Sequence, residues 1–130
     1  MNGSAVPWLQ VIAVAVGAAV GALLRWWAGL WLNGQWQGFP LGTLLVNCAG
    51  GLLIGAALVW FDRSPNEALR LLVVTGFLGG LTTFSAFSGE SLSLMQRGDY
   101  GWALAHTLAH VVGSLAFAAI GFRLMRSALA

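Results

Sequence analysis

The sequence predicts an all-α integral membrane protein with four transmembrane helices. Of its 130 residues, 58% are hydrophobic and 8% are charged, and a water-soluble domain of that composition would have too few polar residues to cover its surface. Four apolar segments, roughly residues 8–32, 41–61, 68–95 and 102–124, each reach the length of about 20 residues that a membrane span requires. We therefore expect residues 1–130 to form a single membrane domain.

Short polar segments separate the four spans and support these bounds. Residues 33–40, 62–67 and 96–101 contain the Gly, Pro, Asn and Asp that are typical of turns. Ser64 and Glu67 have the spacing of a capping box that would open the third helix. The tryptophans lie at or near the span ends, where an indole ring contacts both lipid and headgroups. The leader before the first span has no apparent cleavage site, so we expect it to be retained.

The distribution of the charged residues argues against one partner and leaves the orientation open. The six arginines are scattered, so the chain lacks the basic run that binds nucleic acid. Four arginines lie on the side of the N-terminus, the middle loop and the C-terminus, and two lie on the other side. Because an excess of Lys and Arg sets the orientation, so small a bias is compatible with insertion in both directions and an antiparallel dimer. A single orientation with the arginine-rich side in the cytoplasm fits equally.

The first span carries small residues at every fourth position, a pattern that allows helices to approach closely. The stripe comprises Ala13, Gly17, Gly21 and Gly29, and it also includes Arg25. We expect the glycines to pack against another helix. Arg25 lies near the span end, so we expect it to reach the interface or to cap a carbonyl.

The second span carries a similar stripe that consists of Thr43, Asn47, Gly51 and Gly55. Asn47 is therefore predicted to face protein rather than lipid. Its two N–H donors suit an anion, and its carbonyl suits a cation. The alternative is that Asn47 only bonds a neighbouring helix, as polar side chains in membrane helices commonly do.

The third span contains adjacent glycines and a run of hydroxyls within an otherwise apolar segment, residues 76–87. Gly79 and Gly80 make the backbone permissive, and non-helical backbone at membrane depth persists only where it is buried in protein or lines a cavity. We therefore expect the third helix to break near Gly79 to Thr82, around a ligand.

Beyond the expected break, one helical face carries Phe84, Phe87, Ser88 and Ser91, with Ser85 beside them. Aromatic residues at this spacing are usually core, but the positive edge of a phenyl ring can attract an anion without a full charge. Such attraction suits conduction because a conducting site must also release its ion.

The fourth span places His106, His110 and Ser114 at every fourth position. Histidines four residues apart could bind a metal ion, with Cys48 and Glu90 as further ligands by composition alone. We favour hydrogen-bonding or pore-lining roles for the histidines. Cys48 is the only cysteine and cannot form an intramolecular disulfide, so we expect it to be a packing residue.

Three motifs resemble, in their order and spacing, the signatures of the CrcB/Fluc family of fluoride channels. They are GAAVGALLR at residues 17–25, GTLLVNCAG at 42–50 and GFLGGLTTFSAF at 76–87, and the resemblance covers essentially the whole chain. It implies an antiparallel, dual-topology homodimer of four-helix subunits with two fluoride pathways. It also implies a fluoride-selective channel rather than an enzyme, located in the inner (plasma) membrane, that expels cytoplasmic fluoride passively and confers fluoride resistance.

The resemblance also implies roles for individual residues. In this family the two phenylalanines face the ion and the asparagine donates to it, which corresponds to Phe84, Phe87 and Asn47. A structural sodium ion at the dimer interface is implied as the cofactor, held by the backbone carbonyls of Gly79 and Thr82 from each subunit; oxygen ligands suit such a hard cation. The further residues of the implied fluoride pathway are Thr83, Ser85, Ser88, His106, His110 and Ser114.

Two departures from the family pattern qualify what the resemblance implies. Ala86 stands where the motif commonly has threonine, so a hydroxyl is absent there. His106 and His110 stand where relatives often have a hydroxyl-bearing side chain. Protonation of either histidine could modulate conduction.

Two other functions fit parts of the sequence. A small dual-topology multidrug exporter also uses four short helices in an antiparallel pair, but it needs a carboxylate at the membrane centre. The first span has none, and Glu90 lies late in the third. A structural membrane-assembly protein would explain the glycine stripes but not the coincidence of the break, the hydroxyls and Asn47.

Overall fold

The structure of the protein is a computed structural model that describes residues 5–36 and 38–130. The first four residues of the leader and Gln37 of the first predicted loop lie outside the described residues. The elements are α1 (Trp8–Leu32), α2 (Leu41–Arg63), α3 (Glu67–Arg70), a π-helical segment (Leu71–Leu78), α4 (Gly79–Leu81), α5 (Phe84–Gln96) and α6 (Tyr100–Ala128). Four stretches are long and apolar enough to cross a membrane: α1, α2, the third span Glu67–Gln96, and α6. The predicted all-helical class with four spans is confirmed.

The helices extend further than the predicted spans at several ends. α1 coincides with residues 8–32, whereas α2 continues past residue 61 to Arg63, and α6 covers Tyr100–Ala128 rather than 102–124. Hydropathy marks the hydrocarbon region, but a helix can continue through the polar headgroup region beyond it. Arg63 and Arg126 lie in the last turns of α2 and α6, where a basic side chain interacts favourably with the helix dipole.

The predicted capping box at Ser64 is wrong. Ser64 instead ends α2, because its backbone N–H donates to the Trp60 carbonyl. Asn66 caps α3: its side-chain oxygen accepts a hydrogen bond from the Leu69 N–H at 3.0 Å. Asn is as good an N-cap as Ser, and Ser64 cannot begin the next helix while it terminates the preceding one.

The third span changes its backbone geometry along its length. After one turn of α-helix it continues as a π-helix over Leu71–Leu78 and returns to α-helix for Gly79–Leu81. Thr82 and Thr83 then have extended backbone, with ψ of 156° and 114°; we call them the extended pair. The Thr83 hydroxyl caps α5 by accepting from the Ala86 N–H at 3.0 Å. The part before the extended pair packs against α1, and the part after it packs against α6.

Glycines hold two pairs of helices at close range, and we call these contacts the glycine seams. In the first seam, a side chain at Gly17 or Gly21 of α1 would collide with the backbone of the third span near Phe77. In the second, a side chain at Gly55 of α2 would collide with α6, and one at Gly121 of α6 would collide with α2. The packing role predicted for the glycines of the first stripe is confirmed at Gly17 and Gly21.

Candidate functional site

Asn47 on α2 is bonded to the extended pair. Its Oδ1 accepts a hydrogen bond from the Thr83 N–H at 2.8 Å, and its Nδ2 donates to the Thr83 carbonyl at 3.1 Å. These bonds replace helical bonds that extended backbone cannot make, which lowers the cost of irregular backbone inside an apolar span. They also fix the orientation of the amide, since turning it would place N–H against N–H and oxygen against oxygen.

The orientation of Asn47 fixes the tautomer of His110 on α6. Asn47 Nδ2 lies 3.0 Å from His110 Nδ1 and, as a donor, requires Nδ1 to accept. The neutral imidazole of His110 therefore carries its proton on Nε2. In the part of the chain that the structure describes, this Nε2 is the buried side-chain nitrogen or oxygen that has no hydrogen-bond partner. An unpaired buried donor costs about 1–3 kcal/mol, so an acceptor brought to it would be bound favourably.

Aromatic rings surround the imidazole of His110. Phe87 is buried, and its ring centroid lies 4.8 Å from that of His110. Phe84 meets Phe87 edge to face at 5.3 Å, but 77% of Phe84 is exposed in the single chain. His106 stacks on Phe87 as well, with 5.5 Å between the ring centroids and an interplanar angle of 13°. The two predicted pathway phenylalanines thus differ: Phe87 is packed against imidazoles, and Phe84 is open on one side.

A pocket of about 310 Å³ opens beside the extended pair. The pocket combines amide, hydroxyl and imidazole groups with phenyl rings, and none of its lining residues is an acid, a lysine or an arginine. Six of the predicted pathway residues meet here, although they come from three different spans. The lining residues are Asn47, Thr82, Thr83, Phe84, Phe87, His110, Val111 and Ser114.

Three other predicted pathway residues lie outside this pocket. Ser85 is exposed, with its hydroxyl 3.2 Å from that of Thr83. Ser88 is exposed and donates to the Phe84 carbonyl at 2.8 Å. His106 is fully buried next to the pocket rather than in its wall.

His106 belongs to a polar cluster that adjoins the pocket. Its Nε2 lies 3.0 Å from Glu90 Oε2, and its Nδ1 lies 2.8 Å from the Ser91 hydroxyl. The Thr43 hydroxyl donates to the other Glu90 oxygen at 2.6 Å. These bonds compensate for the partial burial of the Glu90 carboxylate. The rings of His106 and His110 have centroids 4.5 Å apart, which links the cluster to the pocket.

The bonds of Glu90 to Thr43 and His106 were not predicted from the sequence. The bond between Thr43 and Glu90 could have been predicted, because Thr43 lies one turn before Asn47 on the same stripe of α2. If two helices are antiparallel, a residue that pairs with Thr43 must lie further along the third span than Thr83, which pairs with Asn47. Glu90 is the acidic residue at that end of the span.

Of the two roles expected for Arg25, reaching the interface or capping a carbonyl, the structure confirms the second. Arg25 Nε donates to the Gly80 carbonyl at 2.9 Å, shortly before the extended pair. A second pocket, of about 290 Å³, has Arg25, Thr83 and Glu90 among its lining residues. Because Thr83 lines both pockets, the extended pair forms part of the wall between them.

Two backbone carbonyls near the extended pair have lost their usual helical donors. In a regular helix the Thr83 N–H would donate to the Gly79 carbonyl, but here it donates to Asn47. Likewise the Ala86 N–H, which would donate to the Thr82 carbonyl, bonds the Thr83 hydroxyl. The two carbonyls predicted as cation ligands are thus among those that lose their helical donors at the extended pair.

The fold and the site define a class of protein: a multi-pass helical membrane protein with a polar pocket beside two extended residues of its third span, whose lining has no acid, lysine or arginine. Residues 12–122 match the family described as "CrcB-like protein, Camphor Resistance (CrcB)", and the chain belongs to that family. The family resemblance stated from the motifs is therefore confirmed.

Several relatives carry the name "Fluoride-specific ion channel FluC". The one from Pseudomonas aeruginosa (strain UCBPP-PA14) is 52% identical over 88% of this chain and 91% of the relative. The one from Aromatoleum aromaticum (strain DSM 19018 / LMG 30748 / EbN1) is 54% identical over 85% of this chain and 86% of the relative. The one from Cupriavidus pinatubonensis (strain JMP 134 / LMG 1197) is 54% identical over 87% of this chain and 91% of the relative.

Proposed function

We propose that the protein is a fluoride-selective channel through which cytoplasmic fluoride leaves the cell by passive electrodiffusion, so that the cell resists fluoride. Relatives that share about half of their residues with this chain carry the name of a fluoride-specific ion channel. The observation that carries the proposal is the pocket at the extended pair, where Asn47, Phe87 and His110 come together from three spans without a lysine or an arginine.

The chemistry of this pocket suits a small anion that must also leave. Phenyl edges carry partial positive charge, and neutral N–H donors form weaker hydrogen bonds to anions than charged donors do. A conducting site needs such moderate binding because a fixed cation would retain the ion. The proposed pathway comprises Phe84, Phe87, Asn47, His110 and Ser114, with Thr83, Ser85, Ser88 and His106 along its margin.

Asn47 has two tasks in this proposal. Both N–H groups of its amide are engaged, one with the Thr83 carbonyl and one with His110 Nδ1, so direct donation to fluoride requires one of these bonds to open. The second task is indirect: by donating to Nδ1, Asn47 holds the imidazole proton on Nε2. The buried Nε2–H, which has no partner among the residues described, becomes a second donor for fluoride.

Passive flow is sufficient for expulsion across the inner (plasma) membrane, where we propose that the channel lies. Hydrogen fluoride is a weak acid that crosses the bilayer uncharged and dissociates in the less acidic cytoplasm, which traps fluoride inside. The negative interior then drives the anion outward with about 2.3 kcal/mol per 100 mV. No energy source other than the membrane potential is required.

We propose further that the channel is an antiparallel, dual-topology homodimer with one structural sodium ion at its centre, where the broken third helices meet. The carbonyls of Gly79 and Thr82 are released from helical bonding, and Gly79 is exposed in the single chain. Unpaired carbonyls cannot face lipid at low cost. Two carbonyls from each subunit would give four oxygen ligands, which fit a hard cation.

Fluoride efflux from liposomes tests the proposed function. The purified protein is reconstituted with potassium fluoride inside, and valinomycin carries potassium so that no opposing potential develops. We expect rapid release of fluoride and little release of chloride in a matched preparation. A folded protein that releases fluoride no faster than empty liposomes contradicts the channel. Proton-driven export of a cationic dye by the same preparation would support the multidrug exporter instead.

Cysteine labelling tests the dimer and its orientation. Single cysteines are placed in the middle loop, for example Ser64→Cys, in a Cys48→Ala background. We expect labelling from both sides of intact cells, and labelling from one side alone would contradict dual topology. If replacement of sodium and substitution of Gly79 both leave flux and dimer stability unchanged, the central sodium ion is wrong while the topology stands.

A further inference from the structure

We infer that Glu90, His106 and His110 form a binding site for a divalent transition-metal ion such as Zn²⁺. One possible ligand atom from each of the three residues lies within 4.8 Å of the other two. His106 is fully buried, His110 is 4% exposed, and the Glu90 side chain is 19% exposed, so the three groups are largely screened from solvent. This metal site is separate from the proposed sodium site at the carbonyls of Gly79 and Thr82.

The ligand set has the composition of a zinc site with an open position. Two imidazole nitrogens and one carboxylate oxygen leave the fourth tetrahedral position to water or to another small ligand. Metal–ligand bonds of about 2.0–2.2 Å place neighbouring ligand atoms about 3.4 Å apart in a tetrahedron. His106 Nε2 and Glu90 Oε2 are already 3.0 Å apart. A shift of His110 by about 1–1.5 Å brings the third ligand to the same spacing.

The unpaired nitrogen of His110 is a second, independent observation that points to a ligand. Its Nε2 is buried and lacks a hydrogen-bond partner within the described residues. The imidazole of His110 lies against that of His106, with 4.5 Å between ring centroids. Buried polar atoms without a partner are rare and call for an explanation such as an ion. A metal ion bonded to Nε2 pairs this atom once the imidazole proton has moved to Nδ1.

Hydrogen bonds from other spans already hold two of the three ligands on the side away from the metal site. Such outer contacts orient metal ligands and raise their affinity. The pairs are Ser91 with His106 Nδ1 at 2.8 Å and Thr43 with Glu90 Oε1 at 2.6 Å. The bond from Asn47 to His110 Nδ1, at 3.0 Å, must be reversed before His110 can bind a metal ion through Nε2.

Metal binding at His110 changes the hydrogen bond behind it. A metal on Nε2 leaves the imidazole proton on Nδ1, which then needs an acceptor. The Asn47 amide supplies one by turning its Oδ1 toward the ring, and this turn gives up both of its bonds to Thr83. Ser91 needs no such change behind His106, because a hydroxyl either donates or accepts. Occupation of the metal site therefore loosens the extended pair.

A bound metal ion would also block the proposed fluoride pathway. It removes the Nε2–H donor of His110, and it adds a fixed positive charge that retains the anion instead of releasing it. This consequence rests on the proposed function. The binding of the metal ion itself does not.

Titration with Co²⁺ tests the metal site directly. The protein is purified without a histidine tag, treated with a chelator and titrated with Co²⁺, whose visible absorption is intense in tetrahedral sites. We expect one Co²⁺ per chain and displacement by Zn²⁺. In His106→Gln and in His110→Gln the affinity is expected to fall by more than about 100-fold, since even outer contacts contribute 10–100-fold. Cys48→Ala is the matched control, because it removes a potential metal ligand outside the trio.

Two results overturn the metal site: no saturable Co²⁺ binding by the folded parent protein, or parent-like affinity in a folded histidine variant. Where neither histidine variant folds, Glu90→Gln, which keeps the shape of the side chain, takes their place, and unchanged affinity in it has the same meaning. Fluoride efflux from the same preparation separates the two proposals. A protein that conducts fluoride but binds no Co²⁺ refutes the metal site alone, and one that binds Co²⁺ but does not conduct fluoride in its metal-free form refutes the channel alone.

Discussion

The glycine seams and the pocket at the extended pair stabilise the same four spans in opposite ways. In the seams, backbone lies against backbone: a Cβ on Gly17 would lie 3.1 Å from Gly76 Cα. At the pocket, the backbone leaves the helix, and side chains from other spans supply hydrogen bonds to it, Asn47 to Thr83 and Arg25 to Gly80. The close helix contacts at the seams thus rely on small residues, whereas Asn47 and Arg25 use polar side chains to bond the backbone of another span.

This difference predicts two kinds of mutational response. A side chain added in a seam must separate two helices, so the fold itself is lost. A polar or aromatic side chain changed at the pocket leaves both seams in contact, so the protein remains folded and conduction changes. Substitutions outside both regions should have small effects on stability and none on conduction.

The largest effect is expected for Gly121→Val in the second seam. A Cβ at Gly121 would collide with the Leu52 carbonyl oxygen and lie 2.8 Å from its carbon, so α2 and α6 must separate at a cost of about 3 kcal/mol or more. Size-exclusion chromatography of detergent extracts measures the folded yield, which should fall to near zero. Gly89→Ala is the control, because nothing lies within 4 Å of a Cβ there. Equal yields of the two variants would show that the seam does not hold these helices.

Asn47→Asp is expected to abolish fluoride efflux in a protein that still folds. An ionised aspartate accepts hydrogen bonds but cannot donate, so the bonds to the Thr83 carbonyl and to His110 Nδ1 are both lost. Efflux should fall to the rate of empty liposomes. Asn66→Asp is the matched control, since aspartate caps a helix as well as asparagine does. Full activity of folded Asn47→Asp at neutral pH would contradict both tasks assigned to Asn47.

Phe84→Ile and Phe87→Ile are expected to reduce fluoride efflux by about tenfold each, which corresponds to a lost aromatic-edge attraction of about 1.4 kcal/mol. Phe87 is 8% exposed and Phe84 is 77% exposed, so only Phe87→Ile should also lower thermal stability. The control is Phe117→Ile, on an exposed face of α6. Unchanged efflux in both pathway variants would remove the aromatic-edge mechanism.

The smallest effect is expected at the start of the third span. Asn66→Ala removes the side-chain acceptor for the Leu69 N–H and should lower stability by about 1 kcal/mol without changing efflux. Ser64→Ala should be close to neutral, because Ser64 contributes its backbone N–H and not its hydroxyl to the end of α2. Thermal unfolding followed by tryptophan fluorescence compares the two. A greater loss in Ser64→Ala would restore the capping box between Ser64 and Glu67.

Periodicity predicted the spans and the buried faces, but it could not predict how the helices align along their axes. The stripe of α2 shows that Asn47 and Thr43 face protein, yet their partners Thr83 and Glu90 depend on the relative axial position of two helices. Composition has no information on that position. The unpaired Nε2–H of His110 was even harder to predict from the sequence. It depends on the orientation of the Asn47 amide, which is set by hydrogen bonds to the third span.

Helix ends were the other limit of the sequence. Hydropathy falls where α6 enters the headgroup region near Leu124, but the backbone hydrogen bonds continue to Ala128. At the start of the third span, both Ser64 and Asn66 are good caps by residue type. The choice between them depends on where α2 ends. The pattern of apolar residues placed that end at residue 61, two residues before the observed end at Arg63.

The π-helical segment Leu71–Leu78 makes the third span tolerant of a change in length that α2 cannot accept. A π-helix accommodates an extra residue by bonding i to i+5. Loss of a single codon from this segment would let it close as a regular α-helix, and this closure offsets most of the rotation of about 100° that one lost residue causes in an α-helix. Thr83 would then stay near Asn47. Loss of one codon between Thr43 and Asn47, in the regular helix α2, has no such compensation, so one of these two residues would turn away from the third span. A hydropathy profile would register neither deletion, but only the second is expected to destroy the site.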